Sequence, residues 1–263
     1  MARSKPMSEG HYADINGLRF YYETSGKGTP VIFIHTAGTD GRIWKHFVDL
    51  LPEKFTSIIV DLPGHGKSWP WAGWRKTRVN VSYYTNTVAK FIESQGYKQV
   101  IVVGCSVGAV ISLQLARLLG KKVKLAAVIE GAGKTHTFEE ETILKTVPGD
   151  VERAFDFCGT RSSKQAIEEL LWIRSSNNRD IYVTDLLAWN NFDITAELGK
   201  IDTDVLLIRG EEDPVVTERM ASETANQIRN ARYMALPGFG HYPMIEDPEE
   251  LVKILLPEIK KAL

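Results

Sequence analysis

Two cysteines among 263 residues are too few to staple a fold. Cys105 and Cys158 allow one bridge at most, so stability must come from a core and a reducing compartment is expected. An excess of one charge is also missing. The 32 Lys and Arg balance 33 Asp and Glu to a net charge of −1, which leaves no basic surplus to hold nucleic acid or an anionic membrane. No apolar run reaches the roughly 18–20 residues of a membrane span. The opening MARSKPMSEGHYADING has no apolar stretch of the signal-peptide kind. These absences predict a cytoplasmic protein with its first nine or so residues frayed. No HExxH and no Cys/His cluster at ligand spacing occurs, so no metal is expected.

What the chain does have is a rhythm. GLRFYYETSGKGTP suggests a hairpin or meander ending in a Gly-rich turn. Short apolar runs follow at 31–35, 56–61, 100–105, 125–130 and 205–209, with a weaker one at 232–236. Near-continuous apolar strands suit a sheet buried on both faces, hence a mostly parallel one. Helical patterns at 84–95, 107–119 and 217–228 alternate with them. The order argues an α/β fold with a mostly parallel, doubly wound sheet. Residues 133–195 break the rhythm, with helix-like pieces at 139–147, 151–157, 164–174 and 181–189, a PGD turn at Pro148 and no clear strand. They read as a small helical cap over one sheet edge, inserted between core segments 1–132 and 196–263. The end, 248–263, reads as an amphipathic helix that Pro257 kinks or stops.

Gly104-Cys105-Ser106-Val107-Gly108 follows a predicted strand and opens a predicted helix. That is the setting of a nucleophile elbow, a sharp turn that lifts one hydroxyl out of the sheet end. It puts Ser106 at the apex, beside the free N–H groups of a helix start, and leaves Cys105 as a small buried packing residue. A serine needs a general base, and the base needs a carboxylate. Asp213 lies just past a strand in VLLIRGEEDPVV, with Glu211 and Glu212 as possible substitutes. His241 lies in the glycine-lined LPGFGHYPMIEDP, whereas His11, His46, His65 and His136 are placed less well. Oxyanion donors are expected from the Val107 N–H and from the loop after VIFIH, with Ala37 first and Thr36 second. Gly64-His65-Gly66-Lys67-Ser68 imitates the end of a phosphate-binding loop, but Asp61 stands where that pattern needs glycine.

The stretches VIFIHTAG, IIVDLPGHGKS, VIVVGCSVGA, VLLIRGEEDPVV and GFGHYPMIEDP resemble the α/β-hydrolase superfamily in order and spacing. The resemblance implies Ser106 as nucleophile, Asp213 as acid, His241 as base, Ala37 with Val107 as oxyanion hole, and a lid over about 133–193. It departs at Thr36, where members usually have glycine. HTAGTDGRIW is similar to a loop of enol-lactone hydrolases. Carbon–carbon hydrolases of ring-cleavage products usually carry Asn and Trp where this chain has Cys105 and Tyr242. Dehalogenases and epoxide hydrolases need Asp where it has Ser106.

The expected activity is cofactor-free hydrolysis of a small carboxylic ester or lactone through an acyl-enzyme. The alternatives are carbon–carbon cleavage of a diketone, a slow-turnover small-molecule receptor of the same fold, and a scaffold with no open pocket. Among the aromatic residues of the cap, Phe155, Phe157, Trp172, Trp189 and Phe192 are candidates to line an apolar pocket. Thr36, Trp172 and Trp189 are the expected substrate contacts.

Overall fold

The computed structural model describes residues 8–147 and 149–262. The expected turn at Pro148 and most of the expected N-terminal fraying therefore lie outside the described residues. Glu9, by contrast, already pairs in a strand.

Eight strands form the main sheet: β1 (Glu9–Ile15), β2 (Leu18–Ser25), β3 (Thr29–Ile34), β4 (Phe55–Val60), β5 (Val100–Cys105), β6 (Val123–Ile129), β9 (Asp204–Gly210) and β10 (Ala231–Leu236). Their order is β1-β2-β4-β3-β5-β6-β9-β10. β2 pairs antiparallel with both β1 and β4, and every other neighbouring pair is parallel. Side chains alternate across the pleat. Ile32, Ile34 and Val102 enter one core, against α2 (Val81–Ser94), α3 (Val107–Leu119) and α8 (Glu218–Gln227). Val31, Phe33, Ile101 and Val103 enter the other, against α1 (Lys45–Asp49), α9 (Pro243–Glu246) and α10 (Pro248–Lys261). Both faces are covered, which is why the strands read as unbroken apolar runs.

β3 and β5 lie side by side, although the chain leaves β3 for β4 on one side and returns to β5 on the other. The loops at the carboxyl ends of these two strands part there. In an open α/β sheet this crevice is where ligands bind.

Between β6 and β9 run α4 (Glu140–Lys145), α5 (Val151–Phe157), α6 (Lys164–Ser175) and α7 (Arg179–Asn190). This stretch also holds two short strands, β7 (Lys134–Thr135) and β8 (Phe192–Asp193), which pair antiparallel at its base. Two residues are too few to show a strand period, so the sequence reading missed them.

Pro257 does not stop the last helix, which runs on to Lys261. Leu251, Leu255, Glu258 and Ile259 are buried on both sides of it, while Pro257 itself is exposed. The carbonyl that loses its partner is that of Lys253, also an exposed residue, and packing of the apolar face holds the helix together. Among the described residues no helix is long and apolar enough to cross a membrane.

Candidate active site

Ser106 joins β5 to α3 with φ 55° and ψ −118°, a conformation costing a non-glycine residue on the order of 1–3 kcal/mol. The glycines around it are there for space. A β-carbon on Gly104 would sit 2.0 Å from the Gly108 carbonyl oxygen, and one on Gly108 would sit 2.3 Å from that of Ile34. The turn can be this tight only with both. Ser106 is 5% exposed, and its backbone N–H is fixed by the Ile129 carbonyl at 2.9 Å. Among the described residues its Oγ has no hydrogen-bond partner. Val107 is the first residue of α3, so its N–H has no acceptor one turn back.

His241 is held from several sides. Its N–H donates to the Phe157 carbonyl at 2.7 Å, and its carbonyl accepts from the Cys105 thiol at 3.3 Å. The Glu246 carboxylate accepts the N–H groups of Gly240, Tyr242 and Gly159 at 2.8, 2.8 and 3.0 Å. One side chain thus ties the histidine loop to the turn after α5. Cys105 is buried packing, as expected, and burial pushes its thiol well up.

Nδ1 of His241 lies 3.1 Å from each oxygen of Asp213. In the Nδ1–H tautomer it donates to that carboxylate, leaving Nε2 as the base. Asp213 also accepts the N–H groups of Val215 at 2.8 Å and Val216 at 3.2 Å. Burial alone would raise this carboxyl; the charge of His241 and the hydrogen bonds overcome it and hold Asp213 down to about 2. The substitutes fall away. Glu212 accepts from the N–H and hydroxyl of Thr160, and the side chain of Glu211 is exposed.

Ser106, His241, Thr36, Ala37 and Val107 line one cavity of about 20 Å³, room for a water. Phe138, Phe157, Tyr182, Leu186 and Trp189 close it from the helical segment. The Thr36 hydroxyl is engaged within its own loop by Thr39 at 3.1 Å. Trp189, only 1% exposed, takes its expected place in the wall. Trp172 does not. It is 73% exposed, because α6 buries Ile167, Leu170, Ile173 and Arg174 and Trp172 lies on the opposite face. It borders a separate groove of about 630 Å³ with Arg42, Asp61 and Lys67, away from Ser106. Phe155 is exposed, and Phe192 is buried in core packing. Phe138, Tyr182 and Leu186 are wall residues that the sequence reading missed.

A family model described as alpha/beta hydrolase family matches residues 31–254. The chain belongs to the alpha/beta hydrolase family. This hydrolase is 30% identical over 61% of its length to the dihydrolipoyllysine-residue acetyltransferase component of the acetoin cleaving system of Cupriavidus necator, and spans 44% of that protein. It is 25% identical to the pimeloyl-[acyl-carrier protein] methyl ester esterase of Nitrosomonas europaea, over 88% of this chain and 96% of the relative. Among solved structures, the enol-lactonase of Burkholderia xenovorans superposes with a TM-score of 0.85 at 19% identity, covering 95% of this chain and all of that one. That likeness is one of fold.

The hydrolase also explains its decoy motif. Asp61 accepts the N–H groups of Gly41 and Lys67, both at 2.8 Å, and Lys67 reaches Tyr21 and Glu23. GHGKS is a structural turn. Glu130, Asp213 and His241 place ligand-type atoms within 4.8 Å of one another, a spacing a cation could bridge. All three residues are buried and Asp213 already accepts from Val215, Val216 and His241, so the cluster fits a hydrogen-bond relay better than a metal.

Proposed function

We propose that this hydrolase is a cofactor-free serine esterase that cleaves a small carboxylic ester or lactone through an acyl-enzyme. The observation that carries this reading is the strained Ser106 on the same cavity as a His241 bonded to an ionised Asp213. The methyl ester esterase named among the relatives supports the substrate class.

In this mechanism His241 Nε2 takes the Ser106 proton as Oγ attacks the carbonyl carbon, and Asp213 stabilises the imidazolium. The Ser106–His241 hydrogen bond closes as substrate seats, as such bonds often do. Backbone N–H groups of Val107 and Ala37 meet the oxyanion. The proton passes to the leaving alkoxide; water, activated by the same histidine, then frees the acid and restores Ser106. The cavity as it stands holds one water, so acyl groups enter only as the helical wall moves, and short ones require the least movement. The free thiols of Cys105 and Cys158 fit a cytoplasmic setting.

The test is a screen of acetate to hexanoate esters, lactones and diketones with Ser106→Ala as the blank, alongside labelling by a small fluorophosphonate. Ester or lactone turnover and a single label on Ser106 are expected. Turnover of diketones alone, or no loss in Ser106→Ala, overturns the proposal.

A further inference from the structure

Glu130 follows β6 directly and has no part in the mechanism above. It is fully buried, and its φ of 50° makes it, with Ser106, one of three non-glycine residues at positive φ among those described. Strain of this kind persists only where the surroundings over-determine it. Here both ends are fixed: the Glu130 N–H donates to the Ile208 carbonyl at 2.9 Å, and Oε1 accepts the Gly210 N–H. The other oxygen, Oε2, is buried and as a carboxylate would have no partner. As a hydroxyl it can donate to the Asp213 side chain, its hydrogen-bond neighbour in a cluster whose ligand-type atoms lie within 4.8 Å of one another.

Two carboxyls this close in a dry site cannot both ionise. Asp213 is the ionised one, held there by His241 and two backbone N–H groups. Burial, and then the charge of Asp213, push Glu130 well above the usual carboxylate range. The other groups around it are Arg209 on β9, Cys105 on β5, Tyr233 on β10 and, beyond His241, Glu246 on α9. Arg209 acts in the opposite sense, and its guanidinium is turned to the Val216 and Asp213 carbonyls.

We propose that Glu130 is a positioning residue whose neutral carboxyl donates its O–H to Asp213 and so fixes that carboxylate against His241. The donated bond also draws charge from Asp213. The imidazolium is then stabilised less than a bare carboxylate would stabilise it, which places the acid limb of activity lower. The chemical part rests on the esterase reading; the hydrogen bond does not.

The test therefore has one arm without substrate. At neutral pH the infrared spectrum should hold a protonated-carboxyl band that Glu130→Gln removes and Asp213→Asn shifts. In the second arm Glu130→Leu, which has no donor, should move the acid limb of kcat/KM up by about one pH unit and lower kcat about tenfold with KM little changed. Glu130→Gln, which keeps a donor of the same length, should leave the limb in place. No band attributable to Glu130, or a limb that falls by about a unit in Glu130→Gln, means an ionised Glu130 and overturns the proposal, as does an unmoved limb in Glu130→Leu. If the leucine variant does not fold, the infrared bands of wild type, Glu130→Gln and Asp213→Asn decide alone. An enzyme inactive on every ester but showing those bands would sink the esterase reading and leave the hydrogen bond standing.

Discussion

The Asp185 carboxylate on α7 accepts the backbone N–H of Gly38, in the loop after β3, at 3.0 Å. The same carboxylate takes His65 Nε2 at 2.7 Å and the Tyr84 hydroxyl at 2.8 Å, and the group is buried. The helical segment is thereby tied to the loop that carries Thr36 and Ala37.

Asp185→Ala removes three hydrogen bonds at once and leaves the partners buried. A loss of about 3–5 kcal/mol is expected, read as the shift of a urea midpoint. In whatever fraction folds, kcat should fall more than KM changes, because the loosened loop misplaces the proposed oxyanion donor. Equal losses in kcat and in folded fraction would show that the tie serves stability only.

For the triad, Ser106→Ala and His241→Ala should each lower kcat by about 10⁴- to 10⁶-fold. Asp213→Asn should cost less than either, since Glu130 and the backbone still shape that corner. Steady-state kinetics on an ester that the wild type turns over decides the ranking.

Asp213 also predicts an acid limit to stability. Its carboxyl is lowered in the folded state, so it contributes stability above the unfolded value near ~4, lost as pH falls toward the folded value of about 2. The shift corresponds to about 2 kcal/mol. The stability advantage of wild type over Asp213→Asn should shrink by about that amount between pH 5 and 2, measured by chemical denaturation. A constant gap would mean that the carboxylate is not held as the geometry implies.

The two tryptophans should part company. Trp172→Ala should leave turnover within about twofold and stability within about 0.5 kcal/mol, as for an exposed side chain. Trp189→Ala should cost about 3–5 kcal/mol and alter activity, since it empties the wall and strands Thr137, to which its Nε1 donates at 3.2 Å. Melting temperatures and one activity assay separate them.

Leu186→Ala should enlarge the small cavity by the volume of an isobutyl group less a methyl. Longer acyl esters should then gain about tenfold in kcat/KM while acetate stays unchanged. A uniform loss across chain lengths would mean that the residue only packs α7.

The residues Ser106, Asp213 and His241 were legible because each directly follows, or lies close behind, an apolar run and is framed by Gly or Pro. Local punctuation was enough to find them. Glu130, Asp185 and Glu246 were not. Each is a polar residue at a strand end or in a helix, where exposure is the ordinary fate, and each is buried by partners brought from elsewhere in the chain; Asp185 meets Gly38 across 147 positions. Glu130 ended a predicted strand as its one charged residue, a signal that went unused. Trp172 was misplaced although the spacing of Ile167, Leu170 and Arg174 already put it on the far side of its helix. The strand ends shifted by a residue or two, as in 125–130 against Val123–Ile129, because pairing with neighbours rather than hydropathy decides where a ladder stops.

Lys134 pairs with Asp193 and Thr135 with Phe192, so the chain that leaves the sheet for the four helices returns to the point it left. A segment pinned at its neck can change length cheaply, at about 0.6 kcal/mol for each doubling of a flexible loop. Nothing above the neck supplies the strand ends that hold Ser106, Asp213 and His241. A graft at this neck would have to keep the Phe157 carbonyl that holds His241 and the Asp185 carboxylate that holds Gly38, because both lie above it.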